Sequence, residues 1–295
     1  MSNSLFDMIK REGYIVSPLD EYLLHKSVEG NDRAINVNAP SQAGNCNRAN
    51  YYARMQYDPD PVSGDIARTE RIFDNGTYTH MRLQKYLLDA GILIQDEVPL
   101  INDEYNIQGH TDGFIDLGDE IAILEIKSIN DKGFSALKDA KEEHKRQGMI
   151  YMFCTEEHRK YLRSTYKSRK EFNASLPERR KYFESHYQHI QGGSKYSREE
   201  KIENEISLNL VSDDILFDTE KPVTKVIFLY EDKDNQMLKE FLLQRSVMTE
   251  PILSDTLERY KVLNECCKNE TIPEREASNK SECRWCNFKN TCWVV

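Results

Sequence analysis

Apolar residues recur along this chain with two periods, and the switches between them outline its elements. A period of three to four residues marks "SPLDEYLLHKSV" (17–28), "CNRANYYARMQY" (46–57), "GTYTHMRLQKYLLDAG" (76–91), "SALKDAKEEHKRQGMIYMFCTE" (135–156) and "SDTLERYKVLNECCKN" (254–269), each predicted to be a helix. Ser17 is placed as the N-cap of the first, with Pro18 at its first helical position. His80, Leu83, Leu87 and Ala90 fall on one stripe of the third, and Gly91 supplies its stop. A period of two predicts strands at 92–100, 107–117 and 120–129, and again at 223–231 and 237–245 around the polar turn "DKDN". "GNDRAINVNAPSQAGN" (30–45) and "DPDPVSGD" (58–65) read as loops. The stretch 158–198 reads as helical, with a break at "QGGS" (191–194), and "SECRWCNFKNTCWVV" (281–295) is too rich in cysteine for an ordinary helix. This order predicts a mixed sheet with helices against it, an α/β (α+β) architecture in one domain over 1–295. Residues 1–45 form an N-terminal extension in this reading, and 155–215 a basic helical insert.

One hairpin departs from the pattern. "GHTDGFIDLGDEIAILEIKS" (109–128) ends its most apolar run with Glu125 and Lys127. If Gly118-Asp119 forms a two-residue type II′ turn, Leu117 faces Glu120. Counting outward, Asp112 then faces Glu125. Directly opposed residues share a sheet face with Cβ atoms about 4.5–5.5 Å apart. Two carboxylates so placed repel, and a hard divalent cation with oxygen ligands is the natural partner between them. An ammonium beside such a cation orients or activates water and stabilises charge on a transferring phosphate. Asp112, Glu125 and Lys127 therefore make a phosphodiesterase constellation, whose bland alternative is a cross-strand charge cluster with a surface lysine.

Composition limits the classes. With 39% hydrophobic and 31% charged residues the chain reads as a soluble protein, and without a run of about 18 apolar residues it predicts no membrane span. The opening "MSNSLFDMIKREGYIVS" lacks an apolar signal core, which leads us to expect a cytoplasmic protein, in a host cell if a virus encodes it. Net charge is −10, yet residues 158–198 hold eleven Lys/Arg against three Glu, interleaved with aromatics. Such a segment reads either as a nucleic-acid contact or as solvated helices whose aromatics pack inward.

The hairpin also carries a resemblance. "GHTDG" followed by "ILEIKS", then Gln147 and Tyr151 four apart on the next helix, resembles the PD-(D/E)XK nuclease superfamily, and within it the RecB-like exonuclease branch. The resemblance aligns Gly109 and Asp112 with that branch's "GxxD", Glu125 and Lys127 with "ExK", and Gln147 and Tyr151 with "QxxxY". "GTYTH" is similar to its "GxxxH", so that His80 is implied as a metal ligand. Thr111 stands where the family name expects Pro. His110 and Asp116 match no family position. The resemblance implies a restriction-endonuclease-like sheet and a Mg²⁺ or Mn²⁺ held by His80, Asp112, Glu125 and the carbonyl of Ile126. Lys127 then handles the attacking water, and Gln147 and Tyr151 position Lys127 and DNA.

Seven cysteines in a chain without an export signal argue against a disulfide framework. Cys283, Cys286 and Cys292 give C-x2-C-x5-C, which needs a fourth ligand for a closed metal or cluster site. Cys46, Cys154, Cys266 and Cys267 are all candidates by position. Some RecB-like nucleases, among them the AddB nuclease domain and the CRISPR-associated "Cas-four" enzymes, pair one upstream Cys with this C-terminal spacing around a [4Fe-4S] cluster. By that resemblance Cys46 is the first ligand, and Cys46 with residues 264–295 forms an iron–sulfur module that staples the two ends. Zinc is the alternative metal.

The expected function is a metal-dependent DNA exonuclease acting on single-stranded DNA or DNA ends. Its expected setting is recombination, repair, replication or CRISPR adaptation, with a protein of such a complex as partner and an oligomer compatible with the sequence. Rival readings are a DNA-end-binding subunit with weak cleavage and a structure-specific endonuclease. Under the nuclease reading the basic insert is expected to guide single-stranded DNA through Arg179, Arg180 and Lys181.

Overall fold

The computed structural model describes residues 14–28, 34–60, 65–192, 196–284 and 286–294. Helices α1 (Val16–Val28), α2 (Asn47–Arg54) and α3 (Ile66–Asp89) precede three strands, β1 (Leu93–Asn102), β2 (Ile107–Asp116) and β3 (Ile121–Ile129). Helices α4 (Asp131–Ala136), α5 (Glu142–Thr165), α6 (Arg169–Ala174), α7 (Leu176–His186) and α8 (Arg198–Asp218) then lead to β4 (Val223–Asp232) and β5 (Leu238–Gln244). Helices α9 (Glu250–Lys268) and α10 (Lys289–Val294) close the chain.

The strands form one mixed sheet in the order β1-β2-β3-β4-β5. The first three make an antiparallel meander, β4 runs parallel to β3, and β5 is antiparallel to β4. The parallel β3–β4 pair requires a long crossover, and α4–α8 supply it. The architecture is thus the expected mixed α/β one. Its central strand β3 is buried on both faces from Ile121 to Ile126, as its continuous apolar run predicts. One face receives α3, where Leu83 and Leu87 pack on Leu93, Ile115, Ala122, Leu124 and Ile126. The other receives α5 and α9, with Met149, Ile150 and Tyr260 among the residues covering Phe114, Ile123, Val226 and Phe228. Among the described residues no helix is long and apolar enough to cross a membrane.

Several element boundaries differ from the sequence reading. Helix α3 starts at Ile66, ten residues before the expected start, because Asp65 caps it by accepting the Arg68 N–H. Gly76 is therefore internal to it. Helix α1 begins at Val16, so Ser17 lies inside the helix and not at its cap. The expected helix 135–156 is two helices. Leu137 turns extended after α4, and α5 starts at Glu142 and runs on to Thr165. The C-terminal stretch does contain one short helix, α10.

The segment 155–215 is built into the body. Leu162, Phe172 and Leu216 belong to the main core, and Gln95 of β1 donates to the Leu208 carbonyl and to Ser212 Oγ of α8. The basic stretch is answered by α8, whose residues 199–218 hold seven acidic side chains against one lysine. Arg169 pairs with Asp214 and Asp218, and Arg180 with Glu203.

Gly148 matters for placing the site. It lets α5 lie directly on the sheet, where an added Cβ would sit 2.9 Å from Phe228 Cζ and 3.2 Å from Val226 Cγ2. We predict that Gly148→Ala lowers stability by about 1–3 kcal/mol, read as the midpoint of urea unfolding.

Candidate active site and cysteine cluster

The hairpin forms in the expected register. Gly118 has φ +94° and the Leu117 N–H donates to the Glu120 carbonyl, closing the Gly118-Asp119 turn. Gly113 pairs with Leu124, so the next position outward brings Asp112 to Glu125. There the regular ladder stops, and the Asp112 side chain takes over from the backbone. Its Oδ2 accepts the Ile126 N–H at 2.5 Å, and its Oδ1 lies 2.9 Å from His80 Nδ1. Asp116 is not part of this group. It accepts the Gly118 N–H and pairs with Lys221, which stabilises the turn.

On the face opposite α3, helix α5 completes the site. Lys127 Nζ lies 2.5 Å from Glu125 Oε1 and donates to Gln147 Oε1 at 3.1 Å. Gln147 Nε2 donates to Glu125 Oε1 at 2.8 Å and lies 2.5 Å from Tyr151 OH. Gln147 and Tyr151, four apart, thus share the helix face that looks at Glu125. The fold brings His80, Asp112, Glu125, Ile126, Lys127, Gln147 and Tyr151 into one constellation.

Its electrostatics follow from burial. Glu125 is only 3% exposed, and desolvation together with the Asp112 charge pushes its carboxyl up to about 7 despite Lys127. Burial alone would depress the His80 imidazole, but the hydrogen bond and charge of Asp112 outweigh it and hold it above its usual value. Burial and the Glu125 charge hold the Tyr151 phenol well above its ordinary range. Oxygen donors and one imidazole suit Mg²⁺ or Mn²⁺, and the strain between the two carboxylates favours a cation that would relieve it. As the side chains stand, each is bonded within the constellation, and among the described residues no three His, Cys, Asp or Glu converge in a metal-holding arrangement.

Sequence reasoning missed three participants. Gln84 Nε2 donates both to the Asp112 carbonyl and to Glu97 Oε1, tying α3 to β2 and β1. Its spacing of four from His80 was a signal available in the sequence. Glu97 has φ +45°, uncommon for a side chain with a Cβ, between Asp96 and Val98, which pair with Gly113 and Thr111 on either side of Asp112. His144 precedes Gln147 by one turn and has Nδ1 2.6 Å from Tyr230 OH. Burial and the Lys127 charge lower its imidazole to about 3, so it is neutral. His110 is bonded instead to Glu205 of α8.

Two of the three insert residues are already paired. Arg179 is buried: its guanidinium lies 3.9 Å over Phe172, bonds Asp213 Oδ2 at 2.5 Å and donates to Ser175 Oγ. It is a packing residue and is withdrawn from the expected DNA contact. Arg180 is exposed but paired with Glu203, and Lys181 is exposed.

All seven cysteines are free thiols. Cys46 stands at the N-cap of α2 without capping it through its side chain. The Cys286 thiol is raised by burial and also feels Cys283, Cys46 and Cys292, which places these four in one neighbourhood. The Phe288 N–H donates to Cys286 Sγ at 3.5 Å. Cys292 and Cys286 pack with Tyr51, Tyr52 and Phe288. Cys154 instead lies in the main core, and Cys266 and Cys267 lie on α9, with Cys267 beside Arg54. Thiols are donors that suit an iron–sulfur cluster or zinc, but as the side chains stand no three of these cysteines converge in a metal-holding arrangement among the described residues.

No protein-family model and no curated protein matches the chain. Among solved structures, that of SSO0001 is similar over 96% of this chain and 98% of its own, at 15% identity and a TM-score of 0.45.

Glu125 has a pH signature. Its raised pKa means the folded state keeps a proton that the unfolded state releases above about 4.5. Stability is then greatest below that value and falls as pH rises toward about 7. We expect wild type in EDTA to lose on the order of 3 kcal/mol relative to Glu125→Gln over this window, measured by urea unfolding at pH 5 and pH 8. Parallel pH profiles for the two proteins would remove the assignment.

Proposed function

We propose that the chain is a metal-dependent DNA exonuclease of the RecB-like kind, working in the cytoplasm on single strands or DNA ends. The observation that carries this reading is the ammonium of Lys127, held against Glu125 by Gln147, one strand from the His80–Asp112 pair. An ammonium, two carboxylates and an imidazole in one constellation are the parts that metal-assisted phosphodiester hydrolysis uses.

Asp112, Glu125, His80 and the Ile126 carbonyl would hold Mg²⁺ or Mn²⁺. When bound, such a cation supplies a Lewis acid for the phosphate. The protein does the rest. His80 and the Ile126 N–H fix both oxygens of Asp112, so its carboxylate is set before substrate arrives. Gln147 locks the Lys127 ammonium and Glu125 into one geometry. Lys127 aligns the attacking water and neutralises charge gathering on the phosphate oxygens. Tyr151, kept protonated, anchors the Gln147 amide. Cys46, Cys283, Cys286 and Cys292 would hold a [4Fe-4S] cluster, with zinc the alternative, whose role is structural. DNA processing in recombination, repair, replication or CRISPR adaptation fits an enzyme of this chemistry, and so does service within a larger complex.

Two outcomes test the reading. With Mn²⁺ and end-labelled single-stranded DNA, Lys127→Ala should lose at least about a hundredfold in rate with an unchanged circular-dichroism melt. Full activity in that variant refutes the site. Anaerobically purified protein should be brown, and Cys286→Ser should lose the colour and the bound iron while Cys154→Ser keeps both. A colourless wild type containing zinc would select the other metal.

A further inference from the structure

The flank of α3 turned away from His80 is open along the β4–β5 turn. It forms one wall of a groove of about 690 Å³, with Glu231, Lys233 and Gln236 on the opposite wall. Tyr78 and Tyr86 stand on the helix side at 66% and 57% exposure, so their rings have given up little water. Eight residues of helix set them about 12 Å apart along its axis. Between them, Arg82 is anchored to Glu231 at 2.6 Å and lies 5.8 Å from the Tyr86 ring, and Lys85 pairs with Asp89 at the surface. The Lys233 ammonium makes no ion pair among the described residues.

The groove meets the candidate active site through β3, on the sheet face opposite the one that Glu125 and Lys127 share. Glu231 is the register partner of Ser128, the residue after Lys127. Gly76, one turn before His80, packs over Ser128, whose Oγ is 3.6 Å from where a Cβ would stand. The inner wall of the groove therefore starts one strand over and one residue on from the lysine.

Exposed aromatic rings spaced along a channel with three cationic side chains suit a ligand that offers flat π-faces joined by anions. Single-stranded nucleic acid has that chemistry. In a duplex the bases face each other and their faces are covered. We infer that this groove receives the single-stranded part of a nucleic-acid substrate, with bases stacked on Tyr78 and Tyr86 and phosphates beside Arg82, Lys85 and Lys233. The inference rests on the nuclease reading and adds to it a path and a strand preference. The pairing of half-exposed Arg82 with buried Glu231 leaves the stacking, more than net charge, to supply the affinity.

The test uses the full chain and a labelled 20-nucleotide oligo-dT, with Ca²⁺ in place of Mn²⁺ during binding. Losing one stacked base costs about tenfold in affinity, so Tyr78→Ala/Tyr86→Ala should weaken binding by at least that factor. Tyr78→Phe/Tyr86→Phe should bind as wild type does, which separates ring loss from misfolding. Mn²⁺-dependent hydrolysis of bis(p-nitrophenyl) phosphate, too small to span the groove, should be unchanged in both variants. Unchanged oligo-dT affinity in the alanine variant overturns the groove while leaving the site reading intact. Equal weakening for a blunt duplex overturns the strand preference. A wild type that hydrolyses neither DNA nor the small diester overturns both readings.

Discussion

The repulsion between Asp112 and Glu125 is the constraint on which the rest of this site depends. A two-residue turn at Gly118-Asp119 brings the two carboxylates to adjacent strands, and burial leaves little water to screen them. Every strong contact nearby answers that charge. His80 and the Ile126 N–H serve Asp112, while Lys127 and Gln147 serve Glu125. The two helices doing this come from opposite faces of the sheet, α3 from one and α5 from the other. Glycine at 148 seats α5 close enough for Gln147 to reach, and Gln84 ties α3 to the strand that carries Asp112. The fold and the site are thus one arrangement. Loosening either helix would leave a buried carboxylate short of partners.

How much of this was legible depended on whether the information was local. The hairpin register could be counted from a single turn, because strand pairing propagates outward in fixed steps. The Gln147–Tyr151 pair followed from helical spacing. Residues whose role comes from tertiary irregularity were not visible. Glu97 matters because its backbone adopts φ +45° opposite Asp112, and no residue type announces that. The start of α3 was missed because Gly76 looked like a boundary. In the fold it is an ordinary mid-helix position: an added Cβ would stand 3.6 Å from Ser128 Oγ, a normal contact that does not require glycine.

Local charge misled in the other direction. Residues 158–198 look like a basic, aromatic contact surface when read as a segment. The fold sets them against α8, and its acids neutralise much of that charge while Phe172, Phe183 and Tyr187 turn inward. Arg179 shows the physical reason. Its guanidinium stacks on Phe172 and bonds Asp213 and Ser175, so its charge is satisfied inside the fold and is not presented to a ligand. Charge read along the chain is informative only when its partner lies nearby in sequence, and here the partner helix comes later.

The four cysteines invite the view that a metal centre would tie distant ends of the chain together. Loop closure over so long a segment gives a large entropic term only if the ends are otherwise free. They are not free. The Asn47 N–H donates to Glu276, Asn47 Nδ2 to the Arg259 carbonyl, and the Asp60 N–H to the Asn287 carbonyl. Tyr52 packs 5.6 Å from Phe288. The packed body has already met the cost of closure, so ligation would add its stabilisation elsewhere. Between α9 and the end of the described chain, the six-residue α10 is the one helix. A centre held by Cys283, Cys286 and Cys292 would supply that stretch with the internal order its sequence does not provide. Cys46 would set where on the body it docks.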